Sequence, residues 1–339
     1  MTIDMHSHWK SNELADAMRA RTVPPRIVRV DDGTEMLDGR FGIEPLNQVF
    51  DDVEVRLDSM DRQGITMAML SMQPGFGWME RLPIDESLPL VSRYNDAVSE
   101  LCVKHDDRFT AVAALPLTDM SAAAVEFDRA LSLPGMVGAM LPGDGFLTRE
   151  RASAFAPILD IADRRCALIF VHRAALPGEK SNRPPKGVDN FTARDSTLDM
   201  QASLSSIMVT LCLTNLPETY PGVSFLTHNL GGNIPFELER LDHRSVERHP
   251  GQELPSSRFR RSPIMVDCNS FGPRAIERAV EVFGAEKIVF GSDGSEFGVD
   301  WCIRAVNDSQ INENIKQAIL RGNAAALLDR LTAVQEAAE

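Results

Sequence analysis

The chain has 339 residues, enough for roughly two domains at about 150 residues each or for one barrel-sized domain. Its 43% apolar and 25% charged residues exclude global disorder and allow a large buried core. With 35 basic against 49 acidic residues the net charge is −14, which argues against a nucleic-acid binder, a class that presents a basic face.

Eight short runs, largely apolar on both faces, read as the strands of a buried parallel sheet: residues 2–5, 66–72, 109–115, 136–141, 167–171, 223–227, 264–268 and 287–291. Helical patterns separate them. Val53, Leu57 and Met60 follow i, i+4, i+7 spacing, and Gly64 closes that helix. Val91, Tyr94, Ala97, Val98, Leu101 and Cys102 form a second apolar face. Ser121 is the expected cap of a helix running to Leu131, and Pro134-Gly135 ends it. Further helices are predicted over 152–164, 196–217, 233–246, 273–283 and 310–331. Eight strands alternating with helices predict an α/β fold, a (β/α)8 TIM barrel, with a doubly wound open sheet as the runner-up.

Two segments break the alternation. Residues 10–52 form an insertion after the first strand, with a helix over 12–19, Pro24-Pro25, and a hairpin of 26–30 and 35–37 about Asp32-Gly33. Residues 174–194 are polar and rich in Pro and Gly, a long loop expected at the active site. No internal repeat or linker interrupts the chain, so residues 1–339 are read as one domain. No run approaches about 18 uninterrupted apolar residues, so no membrane helix is predicted. The N-terminus has neither a basic region nor an apolar run, so no signal peptide is read and a cytoplasmic location is expected. The five cysteines (Cys102, Cys166, Cys212, Cys268, Cys302) show no CxxC spacing; reduced, mostly buried thiols are expected rather than a cysteine zinc site.

The densest chemical signal is His6-Ser7-His8 at the end of the first strand. Residues i and i+2 of a strand share a face, so the two imidazoles can grip one metal ion; two surface histidines are the bland alternative. Asp4 is expected on that same face, one pleat deeper, as an orienting group. His172, His228 and Asp293 directly follow the fifth, sixth and eighth strands. In a barrel those strand ends form one mouth, where active sites are built, which favours a mononuclear metal site. Asp267, near the end of the seventh strand, is a further candidate for the mouth. His105, His243 and His249 fall late in helices or in polar loops and read as surface residues.

Those motifs, together with His228-Asn229-Leu230-Gly231-Gly232 and Gly291-Ser292-Asp293, resemble the amidohydrolase superfamily. The closer likeness is to its aminocarboxymuconate-semialdehyde decarboxylase-like branch, and it extends over nearly the whole chain. Val55-Arg56-Leu57-Asp58-Ser59-Met60-Asp61 with Gly64-Ile65, and Asn323-Ala324, support it. The resemblance implies nitrogen ligands at His6, His8 and His172 and an oxygen ligand at Asp293. It makes His228 the general acid/base, with Asp293 as its catalytic companion. The implied cofactor is one divalent ion, zinc first, with manganese, iron or cobalt as alternatives. The implied reaction is non-oxidative decarboxylation of a small aromatic or unsaturated carboxylic acid by a homodimer, with no nucleic-acid or membrane partner.

Two positions depart from the branch. No aromatic-Pro pair follows Asp293, and Arg173 rather than proline follows His172. Both fall where substrate lies, so a hydrolase of a C–C, ester, lactone or amide bond is the alternative, and a non-catalytic binding protein is the third reading. Arg173 suits a substrate carboxylate through its guanidinium fork, or a salt bridge at the mouth. Trp9, Phe76, Trp78, Phe191, Arg194, Asn229 and Phe297 are candidate pocket residues, and Glu296 is a candidate substitute ligand.

Overall fold

The computed structural model describes residues 1–9, 11–39, 42–45, 52–72, 77–179, 193–294 and 298–338. The apolar runs form the strands β1 (Thr2–Trp9), β5 (Ile65–Met72), β6 (Phe109–Ala113), β7 (Met136–Pro142), β8 (Leu168–His172), β9 (Ser224–Thr227), β10 (Met265–Asp267) and β11 (Ile288–Val289). They pair in parallel in that order. Backbone bonds from Met5 N–H to the Phe290 carbonyl (2.9 Å) and from Asp293 N–H to the His6 carbonyl (2.8 Å) join the first strand to the last. The sheet is therefore a nearly closed barrel with helices between its strands, a (β/α)8 TIM barrel and not the open sheet.

Alternation along each strand sorts the core into two layers. Ile3, Met5, Met69, Val112, Leu168, Phe170, Leu226 and Val289 fill the barrel interior. Ala324, Leu327, Leu328 and Leu331 of the C-terminal helix Asn323–Ala338 pack onto that cluster and close the end of the barrel where the strands begin. Asn323 fixes the helix there, its Nδ2 donating to the carbonyls of Ala285 and Ile288 at 2.7 Å each. The opposite strand faces, among them Leu70, Ala111, Ile169 and Val171, meet the apolar stripes of the surrounding helices.

Between β1 and the helix Val53–Gln63 lies a helix (Asn12–Arg19) and a small antiparallel sheet of β2 (Arg26–Arg29), β3 (Glu35–Gly39) and β4 (Gly42–Pro45). The hairpin about Asp32-Gly33 is as expected; the third strand is an addition to it. The helix expected to start at Ser121 is Met120–Ala130, capped by Asp119, whose carboxylate accepts the N–H groups of Ser121 and Ala122. An acidic cap also suits the positive end of the helix dipole, which is why Asp119 takes the place assigned to Ser121.

Candidate metal centre

The barrel brings four predicted residues to its mouth. His6 and His8 stand on β1, His172 ends β8, and Asp293 follows β11; one ligand atom from each lies within 4.8 Å of all the others. His6 Nε2 and His8 Nε2 are 3.3 Å apart, and Asp293 Oδ1 is 3.0 Å from His8 Nε2 and 3.5 Å from His6 Nε2. His172 Nε2 is buried without a hydrogen-bond partner. Acceptors thus crowd a space that offers them few donors, which a buried polar group tolerates poorly. A cation would resolve the excess, and three imidazoles with one carboxylate are a donor set suited to one divalent ion.

The far side of each β1 imidazole is held. His6 Nδ1–H donates to Asp267 Oδ2 at 2.8 Å, and His8 Nδ1–H donates to Ser71 Oγ at 2.8 Å. Both bonds fix the tautomer that turns Nε2 inward with its lone pair. Asp267 Oδ1 accepts the N–H groups of Asn229 (2.9 Å) and Asn269 (3.0 Å), and Asn269 Nδ2 donates to Asp293 Oδ2 at 3.2 Å. Buried Arg56, from the motif on Val53–Gln63, donates to Ser7 Oγ (2.8 Å) and the His8 carbonyl (2.5 Å), tying down the end of β1. At Gly291 a Cβ would lie 2.8 Å from that of Asp267 and 2.9 Å from that of His6, so only glycine fits there. Asn229 (φ 52°), Ser270 (φ 63°) and Asp293 (φ 52°) adopt left-handed backbone near the strand ends, conformations that persist where surroundings enforce them.

Charge follows from this packing. Burial opposes protonation of His6, yet the carboxylates of Asp293 and Asp267 outweigh it and raise its pKa to about 9. Burial likewise opposes charge on Asp293, but His6 and His8 hold it well below the usual carboxylate range. Burial, with the neighbouring His228, pushes His172 well below the usual imidazole range. Burial and the nearby His6 lower His228 to about 4.

A profile of the amidohydrolase family matches residues 3–330. The chain belongs to the amidohydrolase family. It is 25% identical over 315 residues to a gamma-resorcylate decarboxylase of Rhodococcus jostii (strain RHA1), covering 89% of this chain and 95% of that protein. A dihydroxybenzoic acid decarboxylase from Polaromonas sp. JS666, solved with manganese and 2-nitroresorcinol, has a TM-score of 0.72 at 20% identity, over 97% of this chain and 96% of that one. A 5-carboxyvanillate decarboxylase from Novosphingobium aromaticivorans, solved with manganese, has a TM-score of 0.73 at 19% identity, over 97% of each chain. Family and order of motifs agree with the likeness read from the sequence, within the aminocarboxymuconate-semialdehyde decarboxylase-like branch, and the chain is an enzyme of the amidohydrolase superfamily.

In this amidohydrolase the ring of His228 stacks on that of His172, centroids 4.4 Å apart and planes within 4°. Its Nδ1–H donates to Asn229 Oδ1 (3.1 Å), and its Nε2 accepts the Arg173 N–H (3.0 Å). Asn229 is buried and serves this network, with Asn269 donating to its Oδ1 at 2.7 Å. Arg173 is half-buried. Two expectations are corrected. Trp9 is buried in the layer between barrel and helices, its ring 6.1 Å from that of Tyr94, because alternation after His8 turns it away from the interior. Asp4 does not share the face of the histidines. Asp4 pairs with Ala68 and Ser7 with Leu70, so β1 carries one extra residue, a bulge that places Ile3 and Met5 in the interior and turns Asp4 toward Ser292. Arg194 is exposed at the start of the turn Arg194–Asp199. Phe76, Phe191, Glu296 and Phe297, and the side chain of Trp78, lie outside the described residues.

Of the other histidines, His243 and His249 are exposed as expected, whereas His105 is half-buried against Phe109. Ser71, Asn269 and Ser292 were not among the predicted site residues. Ser71 and Asn269 signal only by their position at or just beyond the end of a strand, whereas Ser292 also lies in the Gly291-Ser292-Asp293 motif.

Proposed function

We propose that this amidohydrolase is a metal-dependent, non-oxidative decarboxylase of a small aromatic carboxylic acid. The observation that carries the reading is the convergence of His6, His8, His172 and Asp293 within 4.8 Å at the barrel mouth. Relatives named gamma-resorcylate decarboxylase, matched over most of both chains, support the reaction class. His6, His8, His172 and Asp293 would hold a divalent ion, which would supply positive charge to orient and polarise a substrate oxygen. Zinc suits three nitrogens and one oxygen, and manganese, present in two neighbours of the same fold, suits them as well.

The remaining work falls to the protein's own groups. Arg173, at the rim, holds the substrate carboxylate through its guanidinium fork. The bond from ring carbon to carboxylate carbon breaks, the electron pair stays on the ring carbon, CO2 leaves, and a proton takes its place. His228 moves that proton. Its Nδ1–H is committed to Asn229, so Nε2 is the atom that takes the proton up and hands it on, the Arg173 N–H giving way. With burial holding His228 neutral at rest, it passes a proton rather than storing one. The chain acts as one domain and, in this reading, as a homodimer.

The test is CO2 release from a panel of hydroxylated benzoates by protein reloaded with manganese or zinc. Turnover is expected, and His228→Ala is expected to keep its metal and lose about 10²–10⁴-fold in kcat, the usual weight of a general acid/base. An unchanged rate in His228→Ala removes that role. Incorporation of ¹⁸O from water into a product carboxylate, without CO2, replaces the decarboxylase by the hydrolase. Light scattering reads the oligomeric state.

A further inference from the structure

We propose that Asp4 is a positioning residue for the metal centre, acting through Ser292 to hold Asp293 against the histidines. This rests on the metal reading of the cluster. It starts from the seam of the barrel. Strand β11 is two residues long, and from Phe290 onward the chain follows β1 through backbone bonds at Phe290 and Asp293. Asp293 must nevertheless face β1 closely enough to place Oδ1 3.0 Å from His8 Nε2. It does so with a left-handed backbone, φ 52°, which a non-glycine residue keeps only under restraint.

Asp4 adds to the restraint already given by the Asp293 N–H bond to the His6 carbonyl. Its Oδ1 accepts the Ser292 N–H at 3.0 Å and the His6 N–H at 3.0 Å, and its Oδ2 accepts the Ser292 hydroxyl at 2.5 Å. One carboxylate thus grips the residue before one candidate ligand and the backbone of another, across the join between first and last strands. Both partners are closed to solvent, Asp4 at 2% exposure and Ser292 at 0%. Among the described residues, the hydroxyl's one other acceptor is the His6 carbonyl, at 3.5 Å. The bulge in β1 makes the contact possible, because it turns Asp4 out of the interior and toward the turn after β11. Asp4 fixes the backbone beside Asp293 while Asn269 holds its Oδ2, so Oδ1 is left aimed at the imidazoles. Residues that orient ligands in this way typically govern metal affinity by 10–100-fold.

The experiment uses the full chain, stripped of metal and titrated with Co²⁺ in competition with a chromophoric chelator. Visible absorption reports the ligand geometry, and thermal unfolding is measured on the metal-free protein. Ser292→Ala, which removes one hydroxyl, is expected to bind Co²⁺ about 10–100-fold more weakly. Its d–d bands are expected to shift, while the melting temperature without metal changes little. Asp4→Asn is expected to do the same more strongly. The double variant should fall short of the sum of the singles, because both break one clamp. A purely packing role moves the melting temperature and leaves the cobalt spectrum alone. Wild-type affinity and spectrum in Ser292→Ala, alongside a wild type that loads cobalt, overturn the clamp alone and decide the matter even if Asp4→Asn does not fold. A wild type that takes up no metal overturns the metal reading and the clamp with it.

Discussion

Asp267 offers a sharp perturbation, because its two oxygens do different work. Oδ2 accepts His6 Nδ1–H at 2.8 Å, and Oδ1 accepts two backbone N–H groups, of Asn229 and Asn269. Both Asp267 and His6 are fully buried. In Asp267→Ala both functions go. Two buried donors are left without acceptors at about 1–3 kcal/mol each, and the ring of His6 loses its anchor. In Asp267→Asn the one remaining oxygen is best used on the two N–H donors, which turns the amide NH2 toward His6 Nδ1. Nδ1 must then accept, and the proton moves to Nε2, the atom that faces His8 and Asp293. A protonated Nε2 cannot ligate. Asp267→Asn is therefore expected to melt higher than Asp267→Ala, yet to bind metal at least as weakly, some 100-fold or more below wild type, at the upper end of what such residues govern. Chelator competition gives the affinities, and thermal unfolding of the metal-free proteins gives the stabilities. An Asp267→Asn protein with wild-type metal affinity refutes the tautomer argument; one that melts below Asp267→Ala refutes the division of labour between the oxygens.

Three further outcomes follow from the packing. Burial raises the Glu80 carboxyl to about 8 despite Arg81 and the Leu115 N–H, so the folded protein keeps a proton that the unfolded chain releases near 4.5. Stability is therefore fully present below about 4.5 and is lost as pH rises through about 8, and Glu80→Gln should flatten the melting temperature between those limits; a variant that keeps the wild-type slope argues against it. Gly291→Ala drives a Cβ into Asp267 and His6, and should cost about 1–3 kcal/mol by chemical denaturation and displace the metal; wild-type stability with full metal content speaks against the close fit. Phe170→Ala empties the interior beneath His6, whose ring it meets edge-on at 4.9 Å, and should cost about 3–5 kcal/mol; a loss below about 1 kcal/mol shows that the interior collapses around the gap.

The barrel was legible because its strands announce themselves by apolar runs, and most of them again by the polar residue that follows, with Pro116 and Pro142 ending the third and fourth. The second candidate run, 66–72, and the fourth, 136–141, each differ from the strands Ile65–Met72 and Met136–Pro142 by one residue at one end. Buried parallel strands are apolar on both faces, so their limits are where apolarity stops. The helix cap at Asp119 was missed because Ser121 and Asp119 are both good caps two residues apart, and only backbone geometry separates them. The third strand of the small sheet, Gly42–Pro45, has one apolar residue on an exposed edge and therefore no period to read.

The site divides along the same line. His6, His8, His172, His228 and Asp293 could be named as candidates because metal-binding or proton-moving chemistry asks for a particular residue type at a particular place on a strand. What orients them was legible only in part: Asp4 reads as an orienting group and Asp267 as a candidate for the mouth, but their partners emerge only once strands hundreds of residues apart are rolled together. Asp4 and Ser292 are 288 positions apart, and Asp267 and His6 are 261 apart. Asp4 shows the limit most clearly. Period-two alternation assigned it to the histidines' face, and one inserted residue in β1 reversed that assignment. The reversal gives the residue a different partner rather than none, and the partner adjoins the carboxylate whose position matters most. The bulge beside the candidate metal centre is thus the point where pattern reading fails and where the fold gains a contact that an unbroken strand cannot make.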